Sequence, residues 1–175
     1  MDLKKFIRSI PDYPKKGILF RDITTLIKNE TAFEEAINQI IERSKKFKVD
    51  KIAAIESRGF VFASAVSYIL KKPFIMLRKK NKLPADVHSV DFELEYGTAT
   101  IEVHKDSISE NDSVLIIDDL IATGGTAEAA AKLIEISKGK VAAFIFVINL
   151  FDLGGCENLL KNGYKVENLM DFPGH

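Results

Sequence analysis

Hydrophobic positions along the chain follow two different periods. Phe33, Ile37, Ile40 and Ile41 recur at helical spacing. Thr31 precedes them with Glu34 three residues on, as a capping box requires, which predicts a helix over residues 31–47. A second helix is predicted over residues 59–70, with Phe60, Ala63 and Ser67 on one side. A third begins at Gly125 or Thr126 and runs to about Ser137, carrying Ala127, Ala130, Ala131 and Ile134, and a short one lies near residues 157–161. Between them, residues 51–55, 73–77, 113–117, 140–150 and 166–170 are compact apolar, largely β-branched runs that read as buried strands. At the amino-terminal side, residues 2–8 read as a short amphipathic helix, and Pro11, Pro14 and Gly17 then break the chain into a turn-rich loop. Alternation of helix and strand predicts an α/β fold around a mostly parallel central sheet flanked by helices.

Residues 79–105 depart from this rhythm. A charge run at Lys79, Lys80 and Lys82 is followed by Pro84, and residues 90–103 alternate apolar and polar around Tyr96-Gly97. That pattern predicts a long antiparallel hairpin, a candidate flexible hood over a site or an ordinary edge hairpin.

The length of 175 residues fits a single domain over residues 1–175. The 25 basic and 25 acidic residues balance, which argues against nucleic acid as a partner but leaves room for a small anionic ligand. Cys156 is the sole cysteine, so no intrachain disulfide forms; as a nucleophile it has no evident partner, and a plain packing role is the simpler reading. No apolar run suits a signal peptide or a membrane span, which predicts a cytoplasmic protein without a membrane partner. His88, His104 and His175 show no metal-ligand spacing.

The chemistry concentrates after the run ending at Ile117. In open α/β sheets ligands bind beyond the carboxyl ends of the strands. There, Asp118 and Asp119 are followed by Ala122, Thr123, Gly124, Gly125 and Thr126, which open a helix. The glycine pair lets backbone approach a ligand closely, the unpaired amides of the helix start face outward, and the threonine hydroxyls add donors. This suits a phosphate monoester. The two carboxylates would repel that phosphate, so ribose hydroxyls and a divalent cation are their natural partners. Neither G-x-x-x-x-G-K-S/T nor G-x-G-x-x-G occurs, which disfavours a P-loop ATPase and a dinucleotide fold.

The segment Val114-Leu-Ile-Ile-Asp-Asp-Leu-Ile-Ala-Thr-Gly-Gly-Thr126 resembles the phosphoribosyl-diphosphate (PRPP) motif of the type I phosphoribosyltransferases. Ile10-Pro-Asp-Tyr-Pro14, Gly17-Ile-Leu-Phe-Arg-Asp-Ile-Thr24, Ile55-Glu-Ser-Arg-Gly-Phe60, Leu77-Arg-Lys-Lys80 with Lys82-Leu-Pro84, and Leu94-Glu-Tyr-Gly97 resemble the adenine-using branch of that family. The resemblance implies transfer of the phosphoribosyl group of PRPP to adenine, giving AMP and pyrophosphate, with Mg²⁺ and in a homodimer. It implies 5-phosphate contacts from Ala122, Thr123, Gly124, Gly125 and Thr126. Asp118 and Asp119 would meet the ribose hydroxyls, and are the candidates for a metal. Pyrophosphate contacts would come from Arg58, Arg78, Lys79 and Lys82. Leu19, Phe20 and Arg21 would form the adenine pocket, with backbone groups reading the base. Glu95 and Tyr96 would form the catalytic loop, Glu95 being the candidate proton acceptor, with Arg58 also catalytic.

On pattern alone Arg58 could begin a surface helix, the lysines could form a solvated turn, Phe20 could be core and Glu95 an exposed hairpin residue. Two rival functions remain: a related enzyme for hypoxanthine, guanine or xanthine, and a PRPP-binding regulator without catalysis, which would need a DNA-binding segment that is not visible. Three places depart from the family pattern: Asn149, Gly154-Gly155-Cys156, and the tail Met170-Asp-Phe-Pro-Gly-His175. They are expected to lie away from the PRPP loop and to affect local packing or dimer contacts.

Overall fold

The computed structural model describes residues 1–94 and 96–175. After a 3₁₀ turn at Leu3–Phe6, strands β1 (Arg8–Pro11) and β2 (Leu19–Asp22) form a two-stranded antiparallel sheet of their own, pairing Ser9 with Arg21 and Ile10 with Phe20. The amphipathic helix and turn-rich loop expected here are therefore a 3₁₀ turn and a hairpin. A single helical turn, α1 (Thr24–Ile27), precedes α2 (Glu30–Ser44). The cap of α2 is Asn29, whose side chain accepts from the Ala32 amide at 2.9 Å, so Thr31 falls inside the first turn.

There follow β3 (Lys51–Ile55), α3 (Arg58–Leu70), β4 (Phe74–Lys79), the hairpin β5 (Val87–Glu93) and β6 (Thr98–His104), β7 (Ser113–Ile121), α4 (Gly125–Ile136), β8 (Lys140–Leu150), α5 (Gly155–Lys161) and β9 (Val166–Phe172). They build a seven-stranded sheet in the order β5-β6-β4-β3-β7-β8-β9. Strands β4, β3, β7, β8 and β9 are parallel to one another, and the hairpin adds antiparallel to the β4 edge through Arg78 opposite Glu102 and Lys79 opposite Ile101. The mostly parallel sheet and the antiparallel hairpin agree with the sequence reading.

Because successive side chains of a strand point to opposite faces, the buried parallel strands feed two cores. Ile52, Ala54, Leu115, Ile117, Ile145 and Val147 pack with α2 and α3, whose Ile37, Ile40, Phe62 and Val66 are buried there. Ala53, Ile55, Val114, Ile116, Phe144 and Phe146 pack with α4 through Ala127, Ala130, Ala131 and Ile134. This double layer brings the carboxyl ends of β3, β4 and β7 to one edge, where ligands bind in such sheets.

The small β1–β2 sheet is held by a buried anchor. Asp22 accepts from the Arg8 guanidinium at 2.6 and 3.0 Å, and from the Thr24 amide and hydroxyl at 2.9 and 2.7 Å. The Thr24 hydrogen bonds foremost, opposed by burial and helped by Arg8, hold its carboxyl down to about 2. A carboxylate that ionises more readily when folded stabilises the fold fully above its unfolded pKa of about 3.9. That contribution fades as pH falls from about 4 towards 2. Asp22→Asn should therefore flatten the acid limb of stability in this window and lower stability at neutral pH by roughly 1–3 kcal/mol, the range for hydrogen bonds to a charged group. Urea unfolding at several pH values tests this; an acid limb as steep as that of the parent chain would refute the assignment.

Candidate active site

One cavity of about 370 Å³ opens at the carboxyl edge of the sheet. Its walls carry Glu56, Ser57 and Arg58 after β3, Lys79 at the end of β4, Asp118 to Ile121 from the end of β7, and Ala122 to Ala127 from the following loop and helix start. Of the residues singled out in the sequence, Arg58, Lys79, Asp118, Asp119 and Ala122 through Thr126 meet here.

The loop's shape comes from its glycines. Gly124 caps α4 with φ of +94°, a left-handed conformation that L side chains rarely adopt. Beneath it, Gly155 donates its amide to the Ala122 carbonyl at 3.1 Å; a Cβ there would stand 2.5 Å from that oxygen. The segment Gly154-Gly155-Cys156 therefore does not lie away from the loop, contrary to the sequence expectation. It is the floor of the loop, brought there because β8 runs alongside β7 and pairs Ile121 with Asn149. Asn149 itself donates to Asp171 Oδ1 at 2.9 Å and ties β8 to β9. Cys156 is half-buried, and burial foremost, then Asp171 and Glu157, push its thiol up to about 11. Burial thus disfavours the thiolate, the form in which a cysteine attacks.

The two acids differ. Asp119 is buried and accepts from Arg58 Nε at 2.6 Å. Asp118 lines the cavity, yet protein crowds its carboxylate: one oxygen takes the Asp119 amide at 2.9 Å, and the ideal Cβ position on Gly59 is 2.8 Å from it. Burial, then the neighbouring Asp119 charge, hold Asp118 well above the usual carboxylate range. For Arg58 burial disfavours the cation, but Asp119, Asp118 and Asp22 outweigh it and hold the guanidinium charged more firmly than usual.

Glu56 lies in the Ile55–Phe60 motif, and the structure gives it a task that the motif does not. Its carboxylate accepts from the Lys79 amide at 2.9 Å and from Arg78 Nε at 3.2 Å. Burial opposes its ionisation, but the Lys79 amide, Arg78 and Lys82 together hold the carboxyl below its ordinary value. Glu56 thus gathers the basic strand end beside the cavity, although Arg78 and Lys82 are not in its wall. The turn after Lys79 is fixed by a second acid: Glu102 accepts from the Asn81 amide at 2.8 Å and from the Ser89 hydroxyl at 2.6 Å.

None of the base-pocket candidates lines this cavity, and Phe20 stands beside its wall. Phe20 lies with its ring centre 5.7 Å from the Arg58 guanidinium carbon and packs edge-on to Tyr13 at 5.2 Å. Leu19 pairs with Pro11 on the hairpin. The Arg21 side chain turns to Ser9 and to the Pro173 carbonyl, which leaves its backbone as what Arg21 can offer a ligand. From the hood, the Glu93 carbonyl lies 4.0 Å from the Cβ position on Gly125, and Tyr96 carries the Lys15 ammonium 5.1 Å from its ring centre. The catalytic candidate Glu95 lies outside the described residues.

A diacid near the carboxyl end of a parallel strand, a glycine-shaped loop opening the next helix and basic residues beside them are the arrangement of a phosphoribosyltransferase. The family model described as phosphoribosyl transferase domain accordingly matches residues 22–168. Over all 175 residues, covering both chains completely, the sequence is 84% identical to the adenine phosphoribosyltransferase of Pelagibacter ubique. It is 52% identical to that of Chlorobium phaeobacteroides, over 99% of each chain. The crystal structure of adenine phosphoribosyltransferase from Thermoanaerobacter pseudethanolicus superposes with a TM-score of 0.94 at 45% identity, covering 98% of both chains. The Saccharomyces cerevisiae enzyme, complexed with an imino-altritol bisphosphate and adenine, does so with 0.89 at 34% identity over 97% of both. The chain belongs to the adenine phosphoribosyltransferases. Among the described residues no helix is long and apolar enough to cross a membrane.

Proposed function

We propose that this chain, as one catalytic unit over residues 1–175, transfers the 5-phosphoribosyl group of PRPP to adenine, releasing AMP and pyrophosphate in purine salvage in the cytoplasm. The observation that carries the assignment of roles is the single cavity lined at once by the phosphate loop, the diacid, Arg58 and Lys79.

In this reading Ala122 to Thr126 hold the 5-phosphate with backbone amides and the hydroxyls of Thr123 and Thr126. Asp118 and Asp119 take the ribose hydroxyls. Arg58 and Lys79, with Arg78 held on Glu56 and Lys82 further along the same turn, face the pyrophosphate. Adenine lies against Phe20 and is read by the backbone of Leu19 to Arg21. As a purine ring nitrogen attacks the anomeric carbon, the bond from that carbon to pyrophosphate breaks. Charge then grows on the leaving group where the cationic side chains stand. The nitrogen loses its proton, and Glu95 is the acceptor assigned to it. Tyr96 and the hood keep competing water away from the cationic sugar.

A magnesium ion fits this site as a companion of the substrate. Asp118 and Asp119 both line the cavity, but Asp118 is hemmed in by the Asp119 amide and Gly59 and Asp119 is paired with Arg58, so substrate oxygens would supply most of a cation's ligands. A cation there would be held by one or both acids together with substrate oxygens, and would supply neutralisation of pyrophosphate charge.

A homodimer is supported by exposed apolar side chains on α3 and β4. Val61 and Tyr68, seven residues apart on α3, and Ile69 are exposed at 37%, 85% and 52%, and Met76 on β4 at 44%. The adenine-plus-PRPP assay, with and without Mg²⁺, tests the reaction. AMP should form with Mg²⁺ and rates should collapse with a chelator. No AMP from adenine, with nucleotide formed from hypoxanthine or guanine instead, would overturn the base assignment.

A further inference from the structure

We propose that the carboxyl-terminal tail, Phe172 to Gly174, is a positioning strut for the base pocket, acting through the Arg21 guanidinium. The inference rests on the reading of β2 as the adenine wall and adds to it the device that holds this wall in place.

The need for such a device follows from the topology. β1 and β2 pair only with each other, outside the seven-stranded sheet. An isolated two-stranded hairpin is at best marginally stable, so its position must come from side-chain contacts with the rest of the molecule. Asp22 supplies one anchor, and Thr25 donates to the Phe6 carbonyl at 2.6 Å. Both hold the open end of the hairpin, where β1 begins and β2 ends. Next to them Arg21 reaches across to the other end of the chain.

Arg21 Nη2 donates to the Pro173 carbonyl at 2.9 Å, and Nη1 donates to Ser9 Oγ at 2.5 Å. The guanidinium carbon stands 4.7 Å from the centre of the Phe172 ring. Nε is buried without a hydrogen-bond partner, and Arg21 makes no ion pair among the described residues. Neutral groups thus seat this cation: a hydroxyl, a carbonyl and a ring face. The tail is pinned in turn. Phe172 pairs with Leu150 at the end of β8, and the Gly174 amide donates to Asp152 Oδ1 at 2.6 Å. Any Cβ on Gly174 would stand 2.8 to 2.9 Å from Leu153 and Asp152, so the tail lies directly on this turn. The same 3₁₀ turn, Phe151–Leu153, leads into Gly155 beneath the phosphate loop. Base wall and phosphate floor are braced to one short segment.

The test uses the full chain, a chain ending at Phe172, Arg21→Met, and the combination of the two. Initial rates are measured against adenine at saturating PRPP and against PRPP at saturating adenine. Truncation and Arg21→Met should each raise KM for adenine about tenfold, the effect of losing one charge-assisted hydrogen bond, with KM for PRPP within about twofold. The combined variant should be no worse than Arg21→Met alone, because both remove one contact. Arg21→Lys leaves the tail covalently intact and guards against simple loosening of β9. It keeps the charge but not the fork, and should raise KM for adenine by a smaller factor. An unchanged adenine KM on truncation, a parallel rise for both substrates, or multiplicative effects in the combination would each overturn the strut. Failure of the full chain to make AMP would instead overturn the reading of β2, and the strut with it.

Discussion

Gly155→Ala is expected to lower kcat/KM for PRPP by about a hundredfold, the scale of a reacting group displaced by roughly 1 Å. The added methyl would stand 2.5 Å from the Ala122 carbonyl oxygen and 2.7 Å from the Ile121 side chain. The first of these is backbone, so the loop proposed to hold the 5-phosphate must itself move. Gly124 also packs here: a Cβ on it would lie 3.1 Å from Gly155 Cα, so loop and floor are already in contact. Gly154 supplies the control. It has φ of +80° and nothing within 4 Å of its Cβ position, so Gly154→Ala introduces local strain of about 1–2 kcal/mol without pressing on the loop. Steady-state kinetics with varied PRPP, alongside thermal unfolding, separates the two. If Gly155→Ala kept its PRPP kinetics, Gly155 would not size the loop.

Arg58→Gln is expected to reduce kcat/KM for PRPP by about 10²–10³-fold, as for removal of one donor that stabilises developing negative charge. The side chain is half-exposed, but its partner Asp119 is 8% exposed, so the variant also leaves a buried carboxylate without its cation and thermal unfolding is measured beside the kinetics. A second signature distinguishes this variant from simple damage. Asp118 is already raised by burial and by Asp119, and Arg58 works against that rise. Removing the cation should move the acidic limb of the pH–rate profile to higher pH. Arg58→Lys should recover only part of the rate, because an ammonium cannot pair in the forked geometry. Parent-like kinetics and pH profile in Arg58→Gln would remove Arg58 from the mechanism.

Much of the fold was legible in the sequence where an element's own residues decide it. Residues 51–55 and 140–150 are strands with those limits because their apolar, β-branched runs are buried on both faces. Limits set by neighbours were not legible. β7 runs on through Asp118 and Asp119 to Ile121 because β8 continues its ladder, pairing Leu120 with Ile148. β4 extends to Lys79 because β6 pairs with Arg78 and Lys79, and β9 reaches Phe172 because Leu150 lies opposite. The β1–β2 hairpin was hidden by Pro11, Pro14 and Gly17, whose turn chemistry dominates a short segment. Its pairing is held by Asp22, whose ligands Arg8 and Thr24 give no periodic signal.

The same division runs through the site. By itself the sequence determined the glycine loop that opens α4 and is proposed to hold the donor, since strand, diacid, glycine turn and helix start are contiguous and their local geometry follows from residue type. Only the tertiary structure decided what holds that loop and its surroundings. Gly155 lies under Ala122, Glu56 gathers Arg78 and Lys79, Glu102 sets the turn at Asn81, and the tail meets Arg21. Each joins residues far apart in the chain, through single atoms rather than patterns. Contacts of that kind carry no period or composition, and they exist only once the parallel sheet has brought its strand ends to one edge.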